Sequence, residues 1–145
     1  MRIVLENRVL APTLTLLHGM KLTGRDSRAR TRLAHLVVSA LADLQEAELA
    51  LATEYATPGA DGKPAINPDG RFTLQDPTRA ADYAREHEAL FAEQTVIEAG
   101  TYVGHEKDLT RILENYDQPL DGEEAEAYDA LLTALENQPE GENNE

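Results

Sequence analysis

Residues 26–55 read DSRARTRLAHLVVSALADLQEAELALATEY, and this stretch decides the fold. Leu33, Leu36, Val37, Ala40, Leu44, Ala47, Leu51 and Tyr55 recur every three or four positions, the period of an α-helix with one apolar stripe. Asp26 and Ser27 can each accept a hydrogen bond from the N–H groups of a first turn, and Pro58-Gly59 ends the run. The spacing predicts a helix from 26 or 27 to 55, about 43 Å long at roughly 1.5 Å per residue. A small domain is only about 30 Å across, so this helix is expected to protrude, kink or meet a partner.

Outward from it, Ile3 to Leu5 is predicted to form a short strand. Val9, Leu10, Leu14, Leu16, Leu17 and Met20 suggest a shorter helix ending near Gly19, with Pro12 in its first turn, where no N–H is missed. Residues 57–70 contain three prolines and two Asp-Gly pairs and read as turns. Lys63 to Asn67 could pair with Arg71 to Gln75 across the turn at 67–70. Asp76-Pro77 places a cap before a proline at the first helical position, opening a helix over 77–93 with Ala80, Tyr83, Ala84, His87, Leu90 and Phe91 on one stripe. The β-branched run Thr95-Val96-Ile97 could add a strand to that hairpin or to Ile3-Val4-Leu5. A helical hairpin closes the chain, with Leu109, Ile112, Leu113 and Tyr116 on one face and Tyr128, Leu131, Leu132 and Leu135 on the next; Asp121 to Glu124 has the spacing of a capping box. The expected fold is mainly α with a minor β part (α+β): a helical bundle with one long helix and a small two- to three-stranded antiparallel sheet. One domain spans 1–136, and the acidic tail 137–145, with nothing to bury, is expected to be disordered.

Composition bounds the function. No apolar run approaches the roughly 20 residues of a membrane helix. The start Met1-Arg2-Ile3-Val4-Leu5-Glu6 lacks a signal-peptide apolar region. There is no cysteine, hence no disulfide, thiolate metal site or cysteine nucleophile. A soluble, intracellular protein is expected, with no membrane partner. The net charge of -14 is uneven: residues 1–42 hold seven basic and two acidic residues, a net of +5, and 43–145 hold six basic and twenty-five acidic, a net of -19. Such an acidic chain is repelled by nucleic acid at long range, so a coating role on DNA or RNA is disfavoured.

The candidate partner-binding residues are Lys21, Arg25, Arg28, Arg30 and Arg32. Cations at a helix N-terminus oppose the macrodipole by roughly 0.3–1 kcal/mol each, so something must compensate them: acids of the same chain, a protein partner or a bound anion. Arg28 and Arg32 share the solvent face, while Arg30 lies at the edge of the stripe, within reach of a neighbouring element. No catalytic, metal or cofactor residue is expected. Glu86-His87-Glu88 lacks the second His that a zinc-protease helix needs at position 91, which is Phe91. Asn67, Asp69, Gly70 and Asp76 match part of a calcium loop, but Ala65 stands where its first acid is required. No glycine string matches a phosphate loop, and the five tyrosines and two phenylalanines are too scattered for a base-stacking platform.

The strings Gly19-Met-Lys-Leu-Thr-Gly-Arg-Asp-Ser-Arg-Ala-Arg-Thr-Arg-Leu33, Ile97-Glu-Ala-Gly-Thr-Tyr102 and Ala125-Glu-Ala-Tyr-Asp-Ala-Leu-Leu132 carry a family likeness. Over roughly residues 1–136 the chain resembles the domain of unknown function 1617 group, small proteins of tailed phages and prophages of Gram-positive bacteria. The resemblance implies a phage or prophage origin, a place in the late region near tail and lysis genes, and no catalytic residues to carry over. The expected function is that of a non-enzymatic accessory protein acting through protein–protein contacts, with another protein or with itself as a homo-oligomer through the long helix, in late-stage morphogenesis or the tail region, in the host cytoplasm or associated with the virion. Two alternatives stand beside it: an inhibitor or modulator of a host protein, its acidic surface imitating nucleic acid, and an enzyme of unrecognised type.

Overall fold

The computed structural model describes residues 1–68, 71–98 and 104–138. Its elements are β1 (Arg2–Glu6), a 3-10 turn at Asn7–Val9, α1 (Leu10–Gly19), α2 (Gly24–Tyr55), a 3-10 turn at Pro77–Arg79, α3 (Ala80–Ala92), β2 (Gln94–Glu98), α4 (His105–Glu114) and α5 (Gly122–Glu136). The fold is mainly α, with one long helix and a two-stranded antiparallel sheet. Contacts cluster in two compact units, Met1–Leu41 with Gln94–Glu145, and Ala42–Glu93.

In the first unit, β1 and β2 pair antiparallel with Ile3 opposite Ile97 and Val4 opposite Val96. Ile3, Leu5 and Ile97 are buried, while Val96 on the other face is 45% exposed, as the two-residue side-chain period of a strand dictates. Of the two positions open to the run at 95–97, the β1 edge is the one occupied. Helix α5 packs on α1, α4 and β1, and Leu10, Leu16, Leu17, Leu109, Leu113 and Leu131 are all but fully buried. Asn7 and Thr95 share a side-chain hydrogen bond, and the Tyr128 hydroxyl donates to the Leu113 carbonyl.

The expected capping box at Asp121 is not made: Asp121 is the N-cap of α5 but its side chain accepts no capping bond. Gly122 enters the helix at φ 53°, a left-handed geometry that displaces the first turn from the one a capping box requires. Two residues follow α5 among the described ones. The Asn137 N–H donates to Thr133 O, and the Gln138 side chain accepts from the Arg2 N–H at 3.1 Å. The rest of the expected disordered tail, from 139, lies outside the described residues.

In the second unit, Ala42–Glu93, the C-terminal part of α2 and helix α3 flank an irregular excursion. The pairing expected at 63–75 appears as isolated bridges: Ile66 with Phe72, Pro58 with Pro64, and Ala56 with Leu74. The stretch 71–75 thus joins no strand of the sheet, because Pro58, Pro64 and Pro68 lack the N–H donors a continuous ladder needs. Asp76 caps the next turn by accepting from Thr78 N–H at 3.0 Å and from its hydroxyl at 2.7 Å, bonds that hold the Asp76 carboxyl below the usual carboxylate range. No helix among the described residues is long and apolar enough to cross a membrane.

Candidate functional site

The structure separates the five predicted cations by role. Arg30 reaches back from α2 to the C-terminus of α1, where its Nη1 donates to Met20 O at 2.6 Å and Leu17 O at 3.1 Å. Its Nη2 meets the Ser27 hydroxyl at 3.3 Å. A helix C-terminus leaves carbonyls without intrahelical partners and carries partial negative charge, so a guanidinium there satisfies both. Arg30 is thus a structural cap.

Arg25 is compensated by α4. Its Nε donates to Asp108 at 2.7 Å, and Arg111 one turn on binds Asp26 through two bonds at 2.6 and 3.2 Å and touches Asp108 at 3.5 Å. Four charges alternate in sign, and both acids stand in first turns, where the macrodipole favours them. Gly104 makes room for this contact: it caps α4 at φ 85°, and a Cβ built there would lie 3.0 Å from Arg25 Nη2. Lys21 is exposed and lines a cleft of about 390 Å³ with Asp26, Arg111 and Tyr116. Arg28 and Arg32 are exposed on α2. The structure therefore does not gather the five into one patch.

The hydrogen bond from Arg111 holds the Asp26 carboxyl below its ordinary value of 3.8. Folded Asp26 thus gives up its charge at lower pH than unfolded Asp26. Its stabilising contribution is complete above the ordinary value and is lost as pH falls through the folded one. Asp26→Asn is expected to lower the urea midpoint at pH 7, and the gap from wild type is expected to close in acid; a gap independent of pH would show that the ion pair contributes nothing.

The other candidate lies wholly in the second unit. Leu49 and Ile66, each 48% exposed, stand with Gln45, Glu48, Ala52, Phe72 and Tyr83 around an open groove of about 410 Å³. Aromatic edges stiffen its wall: Tyr83 packs edge-on to Phe72 at 5.1 Å and to Tyr55 at 5.5 Å, and the Arg79 guanidinium sits 4.3 Å from the Tyr55 ring centre. His87 stacks on Phe91 at 4.6 Å and approaches Glu48 at 3.7 Å. Desolvation, with the Glu48 charge second, pushes the Tyr83 phenol above its usual range. No residue of α3 is buried, so its aromatic face remains partly open to solvent.

This groove offers apolar side chains, one amide and one carboxylate at its lip, a composition suited to receiving another apolar surface. Sequence reasoning missed it. Its signals were Leu49, an apolar residue off the α2 stripe, and Ile66, an apolar residue inside a proline-rich excursion. Of the partial calcium-loop match, Asp69 and Gly70 lie outside the described residues, and Asp76 serves as a helix cap. Among the described residues no group of three or more His, Asp or Glu side chains is placed to hold a metal ion.

The chain matches the family described as "Protein of unknown function (DUF1617)" over residues 1–142, and it belongs to that family. No curated protein and no solved structure matches it.

Proposed function

We propose that this family member is a non-enzymatic accessory protein of a tailed phage or prophage of Gram-positive bacteria, acting by contact with another protein in late-stage morphogenesis or at the tail. It would be made in the host cytoplasm and work there or on the virion. The phage setting rests on the family resemblance carried by the strings at 19–33, 97–102 and 125–132. The contact mechanism rests on one observation, the groove of the second unit with Leu49 and Ile66 half exposed beside Phe72 and Tyr83. Apolar side chains gathered on a surface and rimmed by polar groups mark contact sites, because covering them removes apolar area from water.

Charge narrows the occupant. Residues 42–93 hold four basic and eleven acidic residues, a net of -7. A complementary partner carries an apolar segment flanked by Lys or Arg, since such charges speed encounter and reject acidic competitors.

Quantitative mass spectrometry of purified virions, paired with affinity capture by wild type and by Ile66→Asp, tests the reading. A phage late protein retained by wild type and lost with Ile66→Asp is the expected result. A host protein with the same dependence would make the chain a host modulator instead. Equal capture by both forms, together with absence from virions, would remove the proposal.

A further inference from the structure

The groove of the second unit offers more than apolar surface. Phe72 and Tyr83 stand with their ring planes at 89° and their centroids 5.1 Å apart, so the face of one ring and the face of the other bound a corner. Tyr55 continues this wall, 5.5 Å from Tyr83. A ring face carries the negative part of the aromatic quadrupole and attracts cations. Glu48 lines the same groove with its side chain 39% exposed, and Gln45 adds an amide. A carboxylate beside aromatic faces is the chemistry that recognises a guanidinium or an ammonium: the acid pairs the charge and the ring receives the cation. The aromatic cluster already holds one cation of its own, the Arg79 guanidinium 4.3 Å from the Tyr55 ring centre. Leu49 and Ile66 supply the apolar surface along which the methylene stem of such a side chain lies.

We propose that this groove receives an Arg side chain of the partner protein, its stem along Leu49 and Ile66 and its guanidinium in the corner of Phe72 and Tyr83 beside Glu48. The inference rests on the contact reading above and names the group that enters the groove. Glu48 argues against a wholly apolar occupant, which would strip water from the carboxylate and give it no partner. The rings argue for Arg over Lys, because a planar, weakly hydrated guanidinium stacks on an aromatic face, whereas a compact ammonium holds its water more strongly. The net charge of -7 over residues 42–93 draws a cation towards the groove and repels an acid.

Amide chemical shifts of the full chain, followed during titration with N-acetyl-Leu-Arg-Leu-amide, test the assignment against the same peptide carrying citrulline, which keeps the shape of Arg and loses its charge. The Arg peptide is expected to shift Glu48, Leu49, Ile66, Phe72 and Tyr83 and to bind about fivefold more tightly than the citrulline peptide, with a Lys peptide between them. Raising salt from about 50 to about 500 mM is expected to narrow the difference. Glu48→Gln removes the acid, and Phe72→Leu removes a ring face while keeping an apolar wall. Each variant, shown to be folded by circular dichroism, is expected to reduce the preference for Arg to about twofold or less. Equal binding of the Arg and citrulline peptides to wild type, with these residues shifted, overturns the Arg assignment and leaves the groove as an apolar contact site. A preference for Arg that survives both substitutions places the cation elsewhere and overturns it too. Binding of neither peptide at the groove also overturns it, and capture by wild type against Ile66→Asp then judges the contact reading by itself.

Discussion

Leu131→Ala is expected to destabilise the first unit by about 2–5 kcal/mol, the range for removing three carbons from a closed core. Leu131 is fully buried on α5, the helix whose contacts with α1, α4 and β1 join the elements of that unit. Helices α1 and α4, strand β1 and the turn at Asn7–Val9 all meet α5, so collapse around the lost side chain would have to move several of them at once, which favours a residual cavity and the upper part of the range. With typical domain stabilities of about 5–15 kcal/mol, the variant should unfold at clearly lower urea. Leu49→Ala is the internal control: an exposed change of the same size is expected to stay within about 0.5 kcal/mol. Equal urea midpoints for Leu131→Ala and wild type would mean that α5 does not organise this core.

Arg30→Met is the second large effect, expected at about 2–3 kcal/mol although it retains most of the apolar stem. The guanidinium bonds Met20 O at 2.6 Å and Leu17 O at 3.1 Å in a half-buried setting, and its removal leaves carbonyls at the α1 terminus without that donor. Bonds to a charged donor are stronger than neutral ones, and the cost of an unsatisfied partner is added to the lost bond. Arg30→Lys should recover only part of the loss, because an ammonium is a point charge and cannot fork between two carbonyls and the Ser27 hydroxyl. A Met variant within about 0.5 kcal/mol of wild type would refute the capping role.

The elements most legible in the sequence were those with a strong period and strong punctuation. Leu33 to Tyr55 announced α2, and Asp76-Pro77 announced the turn and helix that follow, because stripe spacing and cap chemistry are local properties. The partner of Thr95-Val96-Ile97 was not local: pairing with β1 bridges some ninety residues, and only burial of Ile97 with Ile3 distinguishes that edge from the other candidate. The capping box at Asp121 failed because spacing alone does not report that Gly122 has positive φ. For the Arg cluster, the need for compensation followed from the macrodipole, but Asp108, Arg111 and the end of α1 became its partners only through the fold. The groove was least legible of all, since Leu49 on α2, Ile66 and Phe72 in the excursion and Tyr83 on α3 come from three different segments and share no period.

The central claim, that this chain works by protein contact through the groove of its second unit, is tested most directly by site-specific photo-crosslinking during prophage induction or phage growth. A photoreactive residue replacing Ile66 is expected to give one discrete protein adduct, while the same residue replacing the exposed Glu126 on α5 gives none. No adduct from position 66, or the same diffuse labelling from both positions, would contradict the account.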